Sequence, residues 1–121
     1  MKRDNDIREK EFKKHFWEKQ LELYLEASNK AAQLALIEAN NDKKKAYQRF
    51  LELYHGDLVL VEDQKVKDAM KDFIELYIDY QRDKGLHESL LTSSRALART
   101  CRQSLAETWN IQLQDLDFTK F

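Results

Sequence analysis

The chain has 121 residues, of which 36% are charged, and its 21 lysines and arginines against 22 aspartates and glutamates leave a formal charge of -1. That length fits one domain around one core, and the near-neutral balance offers no general basic excess to release counterions, so nucleic acid is not an expected partner. Proline is absent and glycine occurs only at positions 56 and 85, which leaves a β-rich fold without the turn residues it needs.

No apolar run approaches the ~18 residues of a membrane span, and the N-terminus is a mixed-charge stretch without a signal-peptide core. The chain therefore reads as soluble. One cysteine, Cys101, rules out an internal disulfide and makes a reducing, cytoplasmic setting the simplest. The alternative is the soluble part of a membrane-anchored protein.

Asp4, Asn5 and Asp6 are N-cap residues ahead of a helical pattern running to about Ala39. Trp17, Leu21, Tyr24, Ser28, Ala31, Ala35 and Glu38 form its stripe, with Phe16, Leu23, Ala27 and Leu34 beside it. Its first turns, residues 1–14, are mostly charged and are expected to project beyond the body. Asn40, Asn41 and Asp42 make a turn into a second helix over about 42–54, with Ala46, Tyr47, Phe50, Leu53 and Tyr54 inward. Gly56 is expected at the corner of the hairpin that follows. Residues 57–61 suit either a short strand or an apolar elbow; no second strand is available to pair with them, so the elbow is preferred, with Leu58 and Val61 facing the core.

Glu62 and Asp63 sit where a helix dipole favours acids, opening a third helix to about Lys84 with Val66, Met70, Phe73, Leu76 and Tyr80 as its stripe. Gly85 is expected to close it through a left-handed turn. A fourth helix then runs to about Leu113 on a seam of Leu90, Ser94, Leu97, Cys101, Ser104, Thr108 and Ile111. Residues 114–121 read as a loose tail. Leu-Glu-Leu-Tyr at 21–24 and 51–54, with Ile-Glu-Leu-Tyr at 74–77, recurs at unequal spacing, which marks a shared packing solution rather than a tandem repeat. The expected fold is all-α: an antiparallel up-and-down four-helix bundle with a long first helix, in a single domain over 1–121.

No stretch carries a catalytic or cofactor motif. Glu52 and His55 have the Glu-x-x-His spacing of carboxylate-bridged metal bundles, but those need a second such pair, so no metal is expected. Glu11, His15 and Glu18 share a helix face on the charged N-terminal segment, where solvation explains them. Cys101 falls on an apolar seam, as a buried inert thiol does. Two glycines cannot build a phosphate loop, and Thr92, Ser93 and Ser94 lack a nucleophile elbow. The chain is expected to be neither an enzyme nor a cofactor carrier.

Two sets of residues remain as candidates. Arg95, Arg99 and Arg102 line one side of the fourth helix and suit a phosphate or carboxylate; ion pairs with Glu62, Asp63, Asp68 or Asp72 are the commoner outcome for such a stripe. Phe16 and Trp17 are adjacent, about 100° apart on a helix, so one of them is left at the edge of the core where a protein partner or a second copy of the chain covers it.

The series Phe50-x-x-Leu53-Tyr54-x-Gly56, Val61-Glu62, Val66, Ala69-Met70 and Phe73, then Cys101-Arg102-x-Ser104-Leu105 and Trp109, resembles a pattern found in uncharacterised bacterial helical-bundle proteins. The resemblance implies a bacterial origin and a helical fold, and it carries no activity. Some proteins of this kind have an N-terminal membrane segment, which is the source of the membrane-anchored alternative. From the residues themselves, the expected function is a helical interaction module that self-associates or binds a protein; a small-anion-binding bundle is the alternative.

Overall fold

A computed structural model describes residues 2–36, 41–61 and 63–112, with side chains over 8–36, 42–61 and 63–109. The expected tail over 114–121 and the first-turn residue Asn40 lie outside the described residues. Four α-helices follow in order: α1 Lys2–Ala35, α2 Asn41–Glu52, α3 Gln64–Arg82 and α4 His87–Gln112. A five-residue π turn, Leu53–Asp57, extends α2, and a 3-10 turn, Lys84–Leu86, joins α3 to α4.

Side-chain contacts fix the topology. Trp17 meets Trp109, Tyr24 meets Ser104, and Ala35 meets His87, so α1 and α4 run antiparallel. Tyr47 against Tyr77 and Phe50 against Phe73 set α2 antiparallel to α3. The result is the expected up-and-down bundle. α4 packs along both α1 and α3. Ala31 and Ala35 on α1 and Ser94, Cys101 and Ser104 on α4 are all buried and small, which lets α1 and α4 approach. Between α2 and α3 aromatic rings fill a wider gap. Phe50, Phe73, Leu53, Met70, Leu90 and Leu97 are fully buried where the layers meet.

Helix ends account for most departures from the expected boundaries. Gly56 does not form the corner: the chain passes through it in the π turn, where the Leu58 N–H bonds to the Leu53 carbonyl at 3.0 Å. The corner comes later, in successive turns over 58–61 closed by Val59 N–H to Gly56 O and Val61 N–H to Leu58 O. Residues 57–61 are thus an elbow, and Leu58 is its buried anchor. Asp63 caps α3 as its position suggested, its carboxylate accepting the Val66 N–H at 2.8 Å. Gly85 makes no left-handed cap. Asp83 ends α3 in an extended conformation and its carboxylate accepts the Gly85 N–H at 2.9 Å, opening the 3-10 turn instead. α1 already starts at Lys2, ahead of the three cap residues at 4–6.

Candidate interaction surface

α1 is about 51 Å long and α3 about 29 Å at 1.5 Å per residue, so α1 overshoots the elbow that ends α2 and begins α3. The elbow is pinned to α1 by a buried polar cluster. Gln20 Nε2 donates to the Val61 carbonyl at 2.8 Å and to the Tyr24 hydroxyl at 3.3 Å. Tyr24 Oη also accepts the Asp63 N–H at 3.2 Å and lies 3.3 Å from both the Val61 carbonyl and Ser104 Oγ. One hydroxyl thus uses its two lone pairs on Gln20 and Asp63 and has a single proton for Val61 or Ser104. Burial pushes the Tyr24 phenol above its ordinary range, keeping that proton in place. Gln20 Oε1 is buried without a hydrogen-bond partner among the described residues.

Past this cluster the α1 stripe continues at four-residue steps, from Gln20 to Phe16 to Phe12, with α2 no longer opposite it. Phe16 is half-buried and Phe12 is 72% exposed. On the elbow Leu58 and Val61 turn inward, leaving Val59 exposed and Leu60 87% exposed. Leu25, Leu36 and Ile78 are exposed elsewhere, Leu25 and Ile78 on helices and Leu36 in the bend just past the end of α1; single surface apolar residues of that kind are ordinary. Trp17 is differently placed. Its ring packs on Trp109 with centroids 4.3 Å apart, and its indole N–H donates to the Leu105 carbonyl at 3.0 Å, holding the N-terminal half of α1 to the end of α4. The chain itself therefore occupies much of Trp17, while Phe16 sits at the margin of the uncovered surface.

Val59 and Leu60 were not singled out by the sequence, and Phe12 only as one of four aromatic side chains, with Phe16, Trp17 and Trp109, that need a home in the core or against a partner. For Leu60 the signal was present: once Leu58 and Val61 are placed inward, three apart, the two residues between them must point out. For Phe12 it was the four-residue spacing to Phe16, hidden in a charged segment.

Arg95, Arg99 and Arg102 are exposed on the outer side of α4, and none makes an ion pair among the described residues. The expected pairing with Asp63, Asp68 or Asp72 does not form; Asp68 and Asp72 instead border a groove with Ser93, Ala96, Thr100 and Gln103, on a different face of α4 from the arginines. Glu62 lies outside the described residues. The arginine that does organise acids is Arg49, which bonds both Glu26 oxygens at 2.7 Å and Asp57 at 2.9 Å, tying α2 and the π turn to α1. The Arg49 guanidinium holds the Glu26 carboxyl below its ordinary value of 4.5.

His55 lies in the π turn, packed edge-on against Tyr54. Among the described residues no three His, Cys, Asp or Glu side chains converge as metal ligands. Cys101 is buried and its thiol is pushed up to about 11 by burial, which leaves it protonated and unreactive at neutral pH. No described helix is long and apolar enough to cross a membrane. Comparison with family models, with curated proteins and with solved structures finds no match to this chain.

Proposed function

We propose that the chain is a non-enzymatic helical module that acts through protein contact, associating with a second copy of itself at the elbow end of the bundle. The observation that carries this reading is the exposure of Leu60 and Phe12, 87% and 72%, beside half-buried Phe16 where α1 runs past the elbow. A projecting helix of about a dozen residues is marginal in water without a packed face. Its own i to i+4 pair, Lys13 with Glu9 at 3.3 Å, contributes only about 0.3–0.5 kcal/mol. Arg8, Lys10, Lys13 and Lys14 are interleaved with Glu9, Glu11 and Glu18, so the segment can meet an antiparallel copy of itself without net repulsion, as a two-fold interface requires. The buried thiol suits a cytoplasmic setting.

Native mass spectrometry and light scattering over a concentration series test this. A dimer is expected, and Phe12→Ser with Leu60→Ser is expected to shift it to monomer while the helical circular dichroism stays unchanged. A wild-type chain that is monomeric at every concentration overturns the proposal. A second reading, anion binding along Arg95, Arg99 and Arg102, has in its favour three exposed cations without ion pairs among the described residues. Against it, they line neither of the two grooves described along α1–α2 and α3–α4.

A further inference from the structure

α1 and α4 share an outer face, along the side of their seam turned away from the core. Trp17 on Trp109, Tyr24 on Ser104 and Ser28 against the Cys101 thiol set the level of one helix on the other. On α4, Leu91, Ala98 and Leu105 follow at seven-residue steps and lead to Trp109 four residues later, so they lie on the side of α4 that meets α1. On α1, Leu21 and Leu25 continue from Trp17 at four-residue steps and border the same seam. Leu25 is 61% exposed and Ala98 is exposed, while Leu21, Leu91, Leu105 and both tryptophans are half-buried. Leu25 taken alone is an ordinary surface residue; in this company it is part of an apolar strip.

One border of the strip is charged. Arg95 and Arg102 flank Ala98, three residues before it and four after, with Arg99 beside it. All three are exposed and make no ion pair among the described residues. At their level α1 presents Leu25, Ser28 and Asn29, which carry no charge. The α1 acids on that stretch are held elsewhere: Glu26 binds Arg49, and Glu22 pairs with Lys19 at 3.7 Å. Guanidinium groups take carboxylates in a forked, two-bond geometry, and no described residue supplies one here. Arginine and tryptophan around an apolar strip are the residues in which interface centres are enriched.

We propose that the outer face of α1 and α4 docks an acidic amphipathic helix of a partner protein, its apolar stripe on Leu21, Leu25, Ala98 and Leu105 and its carboxylates on Arg95, Arg99 and Arg102. From Trp109 to Leu91 the face runs about 27 Å at 1.5 Å per residue, the length of a helix of about 18 residues. A helix laid along the seam repeats its side chains at steps of three and four, which is the spacing of the arginines, so one acid per turn meets each guanidinium. A second copy packed α4 against α4 sets arginine against arginine, so the acids come from a different protein. The face is separate from the elbow patch of Phe12 and Leu60, and docking on it does not depend on self-association.

The probes are two synthetic amphipathic peptides of about 18 residues with the same leucine stripe, one carrying glutamate and the other lysine over its polar face. Each is titrated into the full chain and followed by amide-resolved NMR. The glutamate peptide is expected to give saturable shifts at Leu25, Ala98, Arg99 and the Trp17 indole, and the lysine peptide to give none there. Arg95→Gln, Arg99→Gln and Arg102→Gln together, with helicity unchanged, are expected to weaken the glutamate peptide about tenfold, whereas Phe12→Ser with Leu60→Ser leaves its affinity at the wild-type value. Ala98→Glu keeps all three arginines and sets an acid among them; it is expected to weaken the peptide as far, and it reads the face even where the triple variant loses helicity. The proposal is overturned by the absence of saturable shifts with the glutamate peptide, by equal affinity for the two peptides, or by wild-type affinity in the folded arginine variant or in Ala98→Glu. The same shifts on concentrating the chain alone would give the face to a second copy and overturn it too.

Discussion

The two ends of this bundle are built from similar helices and stabilised by opposite means. At the elbow end, buried amide and hydroxyl groups clamp a turn onto α1, and apolar side chains are left outside. At the other end, aromatic rings carry the contact, and Lys43 and Lys84 lie over the Tyr80 ring. The difference teaches that amphipathic periodicity determines the middle of a bundle, where each helix packs along its neighbours, and that the ends are decided by side chains that have run out of opposite partners. Each end is accordingly where the molecule can meet something else.

The largest way to break the comparison is to remove the middle that both ends share. Phe73 is fully buried against Phe50, ring centres 5.3 Å apart. Phe73→Ala is expected to cost about 3–5 kcal/mol, read from urea denaturation, and to raise hydrogen exchange at both ends together. Loss at one end alone would mean that the ends are separate folding units.

Tyr24→Phe separates the ends. It deletes the acceptor for Gln20 and for the Asp63 N–H, and the partner of Ser104, leaving buried groups unsatisfied at about 1–3 kcal/mol. Amide exchange is expected to accelerate over residues 58–66 while the amides of 84–87 keep their wild-type rates. Equal acceleration at 84–87 would show that the polar cluster supports the whole bundle rather than the elbow.

Arg49 lies between these extremes, holding Glu26 and Asp57 on a half-exposed surface. Arg49→Met is expected to cost about 1 kcal/mol near neutral pH, and the cost should depend on acid. Because Glu26 has its folded pKa depressed below 4.5, its stabilising contribution is present above that value and is lost as the pH falls through the lower, folded one. The wild-type and Arg49→Met stability curves are therefore expected to converge below about pH 4.5, measured by urea melts at successive pH values. Curves that stay parallel would place the Arg49 contribution in packing of its stem.

Much of this was legible in the sequence. With turn residues so scarce, four helical periods were enough to give the all-α class, the element order, the antiparallel sense and the aromatic core, because the core positions of α3, Val66, Met70, Phe73 and Tyr77, follow one stripe. The ends were less legible. Gly56 and Gly85 carried the only strong punctuation, and both were overridden: Leu53 to Leu58 closed a π turn past the first, and Asp83 capped the second before a left-handed turn was needed. Gln20 reads as a surface residue on a polar segment, and only the elbow carbonyl brought against it by the fold explains its burial. Tyr80 and Lys84 are four apart, but Lys43 comes from α2, so no local pattern could have joined it to them.

The smallest expected effect tests the arginine stripe against the ends. Arg99 is exposed and makes no ion pair among the described residues, so truncating it removes no buried group and breaks no described network. Surface changes of that kind stay within about 0.5 kcal/mol. Arg99→Ala is therefore expected to leave the urea midpoint at its wild-type value, where a stripe paired to acids on α3 would have shifted it. A fall of more than about 1 kcal/mol would restore the paired stripe and make α4's outer face a structural seam. An unchanged midpoint leaves the three arginines as charge free to act on another molecule, with no part in holding this one together.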